Sequence, residues 1–163
     1  MAGELRDRAR VALIGLGCRV SRADLDALAA GLPAGTALAA PGERADLVVV
    51  GTCTITAGAD RASRQAIRRA ARQHPGARIV AAGCYAERCP SALSALPGVA
   101  AVVGARSQGS LPGVLSRLAR GEHAPGPASG AEDVACWDGA AAERLRHARP
   151  VLKIQDGCEQ GCS

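Results

Sequence analysis

Phenylalanine is absent from this chain of 163 residues, which holds one tryptophan, one tyrosine and one methionine. An aromatic core is therefore excluded. The 48% hydrophobic content must come from Val, Leu, Ile and Ala, side chains that suit close packing of helices on a sheet. Apolar runs of 18 or more residues are also lacking, so no stretch is long enough for a membrane-spanning helix. A secretory signal pattern is missing too. These absences lead to the expectation of a cytoplasmic protein with no membrane partner. In that setting seven cysteines serve metal or redox chemistry and not structural disulfides. A net charge of +5 weakly favours an anionic partner.

What is present is organised around Val48-Val49-Val50-Gly51-Thr52-Cys53-Thr54-Ile55-Thr56. A short apolar run ends in a glycine, delivers a cysteine at its tip and leads into a helical pattern. Val11–Cys18 and Ile79–Cys84 repeat the arrangement. In an open parallel sheet the carboxyl ends of the strands share one edge, where ligands bind. Cys18, Cys53 and Cys84 are therefore expected to converge at that edge, and convergent thiolates ask for a metal.

Read in order, Met1–Arg10 is a charged start and Val11–Ile14 the first strand. Ser21 reads as a helix N-cap with Asp24 completing a capping box, and Leu25, Leu28 and Leu32 continue at helical spacing. A short strand is expected near Thr36–Ala39 and a firmer one at Leu47–Val50. Residues 58–74 form the longest helix. Its Ala59, Ala62, Ala66, Ile67 and Ala70 gather on one side, and Arg61, Arg64, Arg68 and Arg72 on the other. That arginine row reads as a solvated face, with an RNA-contacting stripe as the alternative. Strands at Ile79–Ala82 and Val99–Val103, a helix over 90–96 and a closing helix marked by Leu111, Val114, Leu115 and Leu118 complete the pattern. Alternating strands and helices predict an α/β fold, a parallel sheet with helices on both faces.

Residues 1–120 thus make one domain, and 121–147 a Gly-, Ala- and Pro-rich linker. Residues 148–163 open a second domain with a strand at Val151–Ile154, preceded by Arg144, Arg146, His147 and Arg149. That strand runs into Cys158 and Cys162, a C-x3-C pair that is a weak metal signal without further ligands.

Several separated motifs agree, in order, with one family. Leu16-Gly17-Cys18-Arg19-Val20, Thr52-Cys53-Thr54-Ile55-Thr56, Ala59-Asp60-Arg61, Ser63-Arg64-Gln65, Ile67-Arg68-Arg69, Gly83-Cys84-Tyr85-Ala86 and Leu152-Lys153-Ile154-Gln155-Asp156-Gly157-Cys158 resemble the radical S-adenosylmethionine methylthiotransferases. The likeness is to the branch that modifies N6-threonylcarbamoyladenosine in tRNA, and it rests on Thr54-Ile55-Thr56 and the helix from Asp60 to Arg69. The resemblance implies an auxiliary [4Fe–4S] cluster on Cys18, Cys53 and Cys84, and a radical-generating [4Fe–4S] cluster of which Cys158 and Cys162 supply two ligands. It implies S-adenosylmethionine as cofactor, methylthiolation at C2 of the adenine next to the anticodon, and a reductant protein as electron donor. It places residues 148–163 at the first strand of a radical barrel that is cut short, so this chain alone is expected to be inactive. Ser21 and Gly51 stand where that family commonly has Asn, and Glu87 where Gln is usual.

The alternatives are the sister branches acting on isopentenyladenosine or a ribosomal protein, a zinc-binding structural module, and a nucleotide- or flavin-binding domain. The last lacks the third glycine of the dinucleotide fingerprint after Gly15-Leu16-Gly17. Cys89 reads as packing and Cys136 as incidental.

Overall fold

A computed structural model describes residues 8–124 of the chain. Cys136, Cys158, Cys162, the linker from residue 125 onward and the expected strand at Val151–Ile154 lie outside the described residues.

Five strands form one parallel sheet: β1 (Ala9–Gly15), β2 (Thr36–Leu38), β3 (Leu47–Thr52), β4 (Arg78–Gly83) and β5 (Val99–Gly104). Their spatial order is β2-β1-β3-β4-β5. The chain winds outward from β1 in one direction and from β3 in the other, which makes the β1/β3 boundary a topological switch point. The connecting helices are α1 (Arg19–Ala30), α2 (Ala57–Gln73), α3 (Cys84–Arg88), α4 (Pro90–Ser94) and α5 (Leu111–Ala119).

β3 is central and buried along its whole length. Its alternate side chains feed two cores, as the two-residue period of a strand requires. Leu47 and Val49 join Val11, Val80 and Val103 beneath Leu25 and Leu28 of α1 and Leu115 and Leu118 of α5. Val48 and Val50 join Ile79, Ala81 and Val102 beneath Ile67 and Ala70 of α2, Tyr85 of α3 and Leu93 of α4. All four apolar residues expected to mark the closing helix are buried on α5.

Several expectations need correction. β1 begins at Ala9, inside the stretch read as a charged start. Helix α1 starts at Arg19 with Cys18 as its N-cap, so Ser21 and Asp24 lie within the helix and form no capping box. The cause is Gly17: a Cβ there would stand 2.3 Å from the Ser21 Cβ, so the chain folds onto the helix two residues early. On α2 the buried stripe is Ser63, Ile67 and Ala70, whereas Ala62 is exposed. Arg64 is half-buried and leaves the row of exposed arginines. Helix α3 and a 3-10 segment at Ala105–Ser110 have no counterpart in the periodicity reading, because each is too short to show a period.

Gly83 ends β4 at φ 112°, and a Cβ on it would lie 2.6 Å from the Thr52 carbonyl oxygen. Both the backbone angle and the space demand glycine. Gly35, at φ 80° with nothing within 4 Å, carries only the first demand. Gly83→Ala is expected to destabilise the protein by about 2 kcal/mol or more, against about 1 kcal/mol for Gly35→Ala. Chemical denaturation of the two variants measures the difference.

Candidate metal centre

Register sets the site. Gly15 pairs with Gly51 between β1 and β3, and Thr52 pairs with Gly83 between β3 and β4. Three strands therefore end in phase, and the residues just beyond them carry the thiols. Cys53 comes directly after β3, Cys84 directly after β4, and Cys18 three residues after β1. All three cysteines lie at the carboxyl edge of the sheet, as expected, and two of them flank the switch point.

The glycines let α1 close on this edge. A Cβ at Gly51 would stand 3.0 Å from the Leu25 Cδ1 and 3.2 Å from the Ser21 Oγ. The two positions where the related pattern has Asn are thus in mutual contact here. A small residue at one accommodates a small residue at the other, and α1 packs down on the strand ends.

Buried hydroxyls hold the backbone around Cys53 and the turn that carries Cys84. The buried Thr52 hydroxyl donates to the Ala82 carbonyl (2.8 Å) and accepts from the Ala86 amide (3.2 Å), pinning the end of β3 to the turn that contains Cys84. The fully buried Ser63 hydroxyl accepts from the Cys53 amide and donates to the Cys53 carbonyl, each at 3.2 Å. Cys53 is consequently tied on both sides to α2. Thr56 caps α2, accepting from the Ala59 amide at 3.1 Å. Asp60, in the first turn, sits where the helix macrodipole favours an acid.

The other side of the edge is braced by long side chains. Arg64 donates to the Tyr85 hydroxyl at 2.5 Å, with its guanidinium carbon 5.8 Å from the ring centroid. Tyr85 is buried, so this contact holds α3 against α2. The Glu87 carboxylate lies over Gly104 and accepts from the Arg106 amide at 3.4 Å, at the start of the 3-10 segment. Arg88 reaches the Thr54 hydroxyl at 3.5 Å, bridging the loops of Cys84 and Cys53.

All three cysteines are free thiols, with Cys18 and Cys84 exposed and Cys53 buried. Burial pushes the Cys84 thiol up from its ordinary value, and Cys53, Cys18, Asp24 and Glu87 push it in the same direction by like-charge repulsion. Cys84 therefore feels both of the other sulfurs across the edge. Among the described residues, no three His, Cys, Asp or Glu side chains are drawn together into a closed metal-binding group. The donor type, three thiols at one sheet edge, is that of a thiolate-ligated group. Cys89 stands apart, between α3 and α4, partly buried against the core of Ile67 and Tyr85.

Sequence reasoning missed Thr52 and Ser63 as clamps. Ser63 carried a signal, since it lies four residues before Ile67 and seven before Ala70, on their face of the helix. Arg64 with Tyr85 had none, because their contact joins residues 21 apart. Thr52→Val should cost about 1–3 kcal/mol, since it strands the buried Ala86 amide. Ser63→Ala should cost a similar amount through the Cys53 amide. Equilibrium unfolding checks both, with the exposed Ser91→Ala as control. A loss no larger than that of the control would contradict the clamp.

Residues 10–104 match the family described as Uncharacterized protein family UPF0004. The chain is similar to threonylcarbamoyladenosine tRNA methylthiotransferase MtaB of Aquifex aeolicus, 37% identical over 158 residues that make up 94% of this chain and 38% of that protein. The Bacillus subtilis protein of the same name is 35% identical over 127 residues, 74% of this chain and 27% of its own length. Ribosomal protein uS12 methylthiotransferase RimO of Roseiflexus sp. is 31% identical over 173 residues, 93% of this chain and 36% of that protein. The chain thus spans well under half the length of these relatives. With the family match reaching from β1 to the end of β5, the chain belongs to the methylthiotransferase family.

Proposed function

We propose that residues 1–120 form the domain that holds an auxiliary [4Fe–4S] cluster through Cys18, Cys53 and Cys84, within an enzyme that methylthiolates C2 of N6-threonylcarbamoyladenosine in tRNA. The observation that carries this reading is the in-phase ending of β1, β3 and β4, which brings the three thiols to one edge at the switch point. When bound, such a cluster supplies the sulfur-carrying site of the reaction. Cys53 is the anchored ligand, tied to Ser63. Cys18 and Cys84, both exposed, are the ligands that adjust. The edge also presents Leu16, Val20 and Ile55 to solvent, Ile55 at 77% exposure, an apolar rim that keeps water from the centre once it is covered.

In this reading residues 121–147 link to a radical S-adenosylmethionine domain that starts at 148, and Cys158 and Cys162 ligate its own cluster. The partners are a tRNA, at its anticodon region, and a cytoplasmic reductant protein. Support for the tRNA substrate comes from the two MtaB relatives. The Roseiflexus relative favours a second reading, in which the substrate is ribosomal protein uS12. Mass spectrometry of tRNA nucleosides and of that ribosomal protein, after loss of the full-length gene, distinguishes the two.

Anaerobic reconstitution of the chain tests the ligand set. Cys→Ala at position 18, 53 or 84 is expected to abolish or strongly reduce bound iron and its visible absorption, whereas Cys89→Ala and Cys136→Ala leave both intact. A colourless protein that takes up zinc on the same three cysteines would replace the iron–sulfur reading with a zinc module.

A further inference from the structure

Beside α2, on the sheet face that α2, α3 and α4 cover elsewhere, no helix among the described residues covers β1 and β2. Ala12, Ile14 and Ala39 are only partly buried there, and Leu16 beyond them is 36% exposed. Together with α2 they shape a groove of about 740 Å³. Its floor is Ile14 and Leu16, and its wall is Ala62, Ala66, Arg69 and Arg72, with Arg68 at the lip. Among the described residues no carboxylate lines it, and the three arginines are exposed.

This combination selects among occupants. Single-stranded nucleic acid is gripped by aromatic platforms on which bases stack, and none of the described residues lining the groove is aromatic. An aliphatic floor beside a row of guanidiniums instead matches a peptide that is both acidic and apolar. The chain contains one such peptide outside the described residues: Glu132-Asp133-Val134-Ala135-Cys136-Trp137-Asp138, with three carboxylates, no basic residue and the sole tryptophan.

Length agrees. Pro75 and Gly76, just after α2, line the same cavity as Leu118 and Gly121 at the end of α5. The described residues end at Ala124, three beyond Gly121 and packed against the α1/α5 core on the other face of the sheet. Eight residues from Ala124 to Glu132 reach about 26 Å when extended, more than a sheet's thickness. The groove runs along α2 from Gln73 back to Ala62, about 16 Å, and seven extended residues cover about 20 Å.

We propose that Glu132–Asp138 docks in this groove, its Trp137 and Val134 over Ile14 and Leu16 and its carboxylates against Arg68, Arg69 and Arg72. The groove runs from the sheet edge where α5 ends to the edge of the cysteines, so a segment lying in it carries the chain back from one to the other. This inference is independent of which metal Cys18, Cys53 and Cys84 hold.

Trp137 is its own reporter. In the 163-residue chain its fluorescence is expected to lie to the blue of a synthetic peptide of residues 131–139, with several-fold weaker quenching by acrylamide. Arg69→Glu with Arg72→Glu should move emission and quenching to the peptide values while the far-UV circular dichroism stays unchanged. Adding Glu132→Arg and Asp133→Arg to that variant should restore the protected state. Wild-type emission equal to that of the peptide overturns the proposal. So does protection that survives charge reversal of the arginines. A ribo-oligonucleotide bound by Arg69 and Arg72 with Trp137 solvent-exposed also overturns it, and assigns the groove to RNA.

Discussion

The parallel register of β1, β3 and β4 is the constraint on which the rest depends. Strands that pair Gly15 with Gly51 and Thr52 with Gly83 must release their chains at one level, and the next residues of three separate loops meet there. A one-residue slip of β3 would invert its buried faces, placing Val48 and Val50 in the other core and turning Thr52 away from Ala82 and Ala86. The two cores that fill the faces of β3 therefore also fix the height of Cys53. Core packing and site geometry are here one property.

Gathering thiols has an electrostatic cost. Burial, Cys53, Cys18, Asp24 and Glu87 all oppose ionisation of Cys84. Uncharged clamps carry that load. Thr52 and Ser63 hold the backbone on either side of Cys53 by buried hydrogen bonds, and Gly83 brings β4 close enough for Thr52 to reach across. A cationic centre at this edge would offset the opposition to a Cys84 thiolate and leave the clamps untouched. Without a cation nearby the Cys84 thiol is favoured in its neutral, protonated form, and ionising it calls for a cationic partner.

Much of this is legible in the residues. Apolar runs ending in glycine and cysteine announce β1, β3 and β4, and the alternation with helical segments announces a parallel sheet. The Leu111–Leu118 spacing locates α5 because a four-residue apolar stripe has a clear period. The start of α1 misleads for a local reason: Ser21 has the chemistry of a cap, but the missing Cβ of Gly17 lets the chain enter the helix at Arg19. The apolar wheel of α2 misleads because alanine is indifferent to burial. Ser63 takes the buried place of Ala62 by virtue of its bonds to Cys53, a contact ten residues away that no periodicity contains. Arg64 leaves its row for the same kind of reason, drawn to Tyr85. Pairings between distant loops are properties of the closed fold.

A diffraction experiment on crystals of the anaerobically reconstituted chain, measured at the iron absorption edge, is the most direct test of the central claim. The account predicts one strong anomalous iron feature at the carboxyl ends of β1, β3 and β4, within bonding reach of the sulfurs of Cys18, Cys53 and Cys84 together. Iron located elsewhere, or bound with one of those three sulfurs turned away from it, would contradict the account.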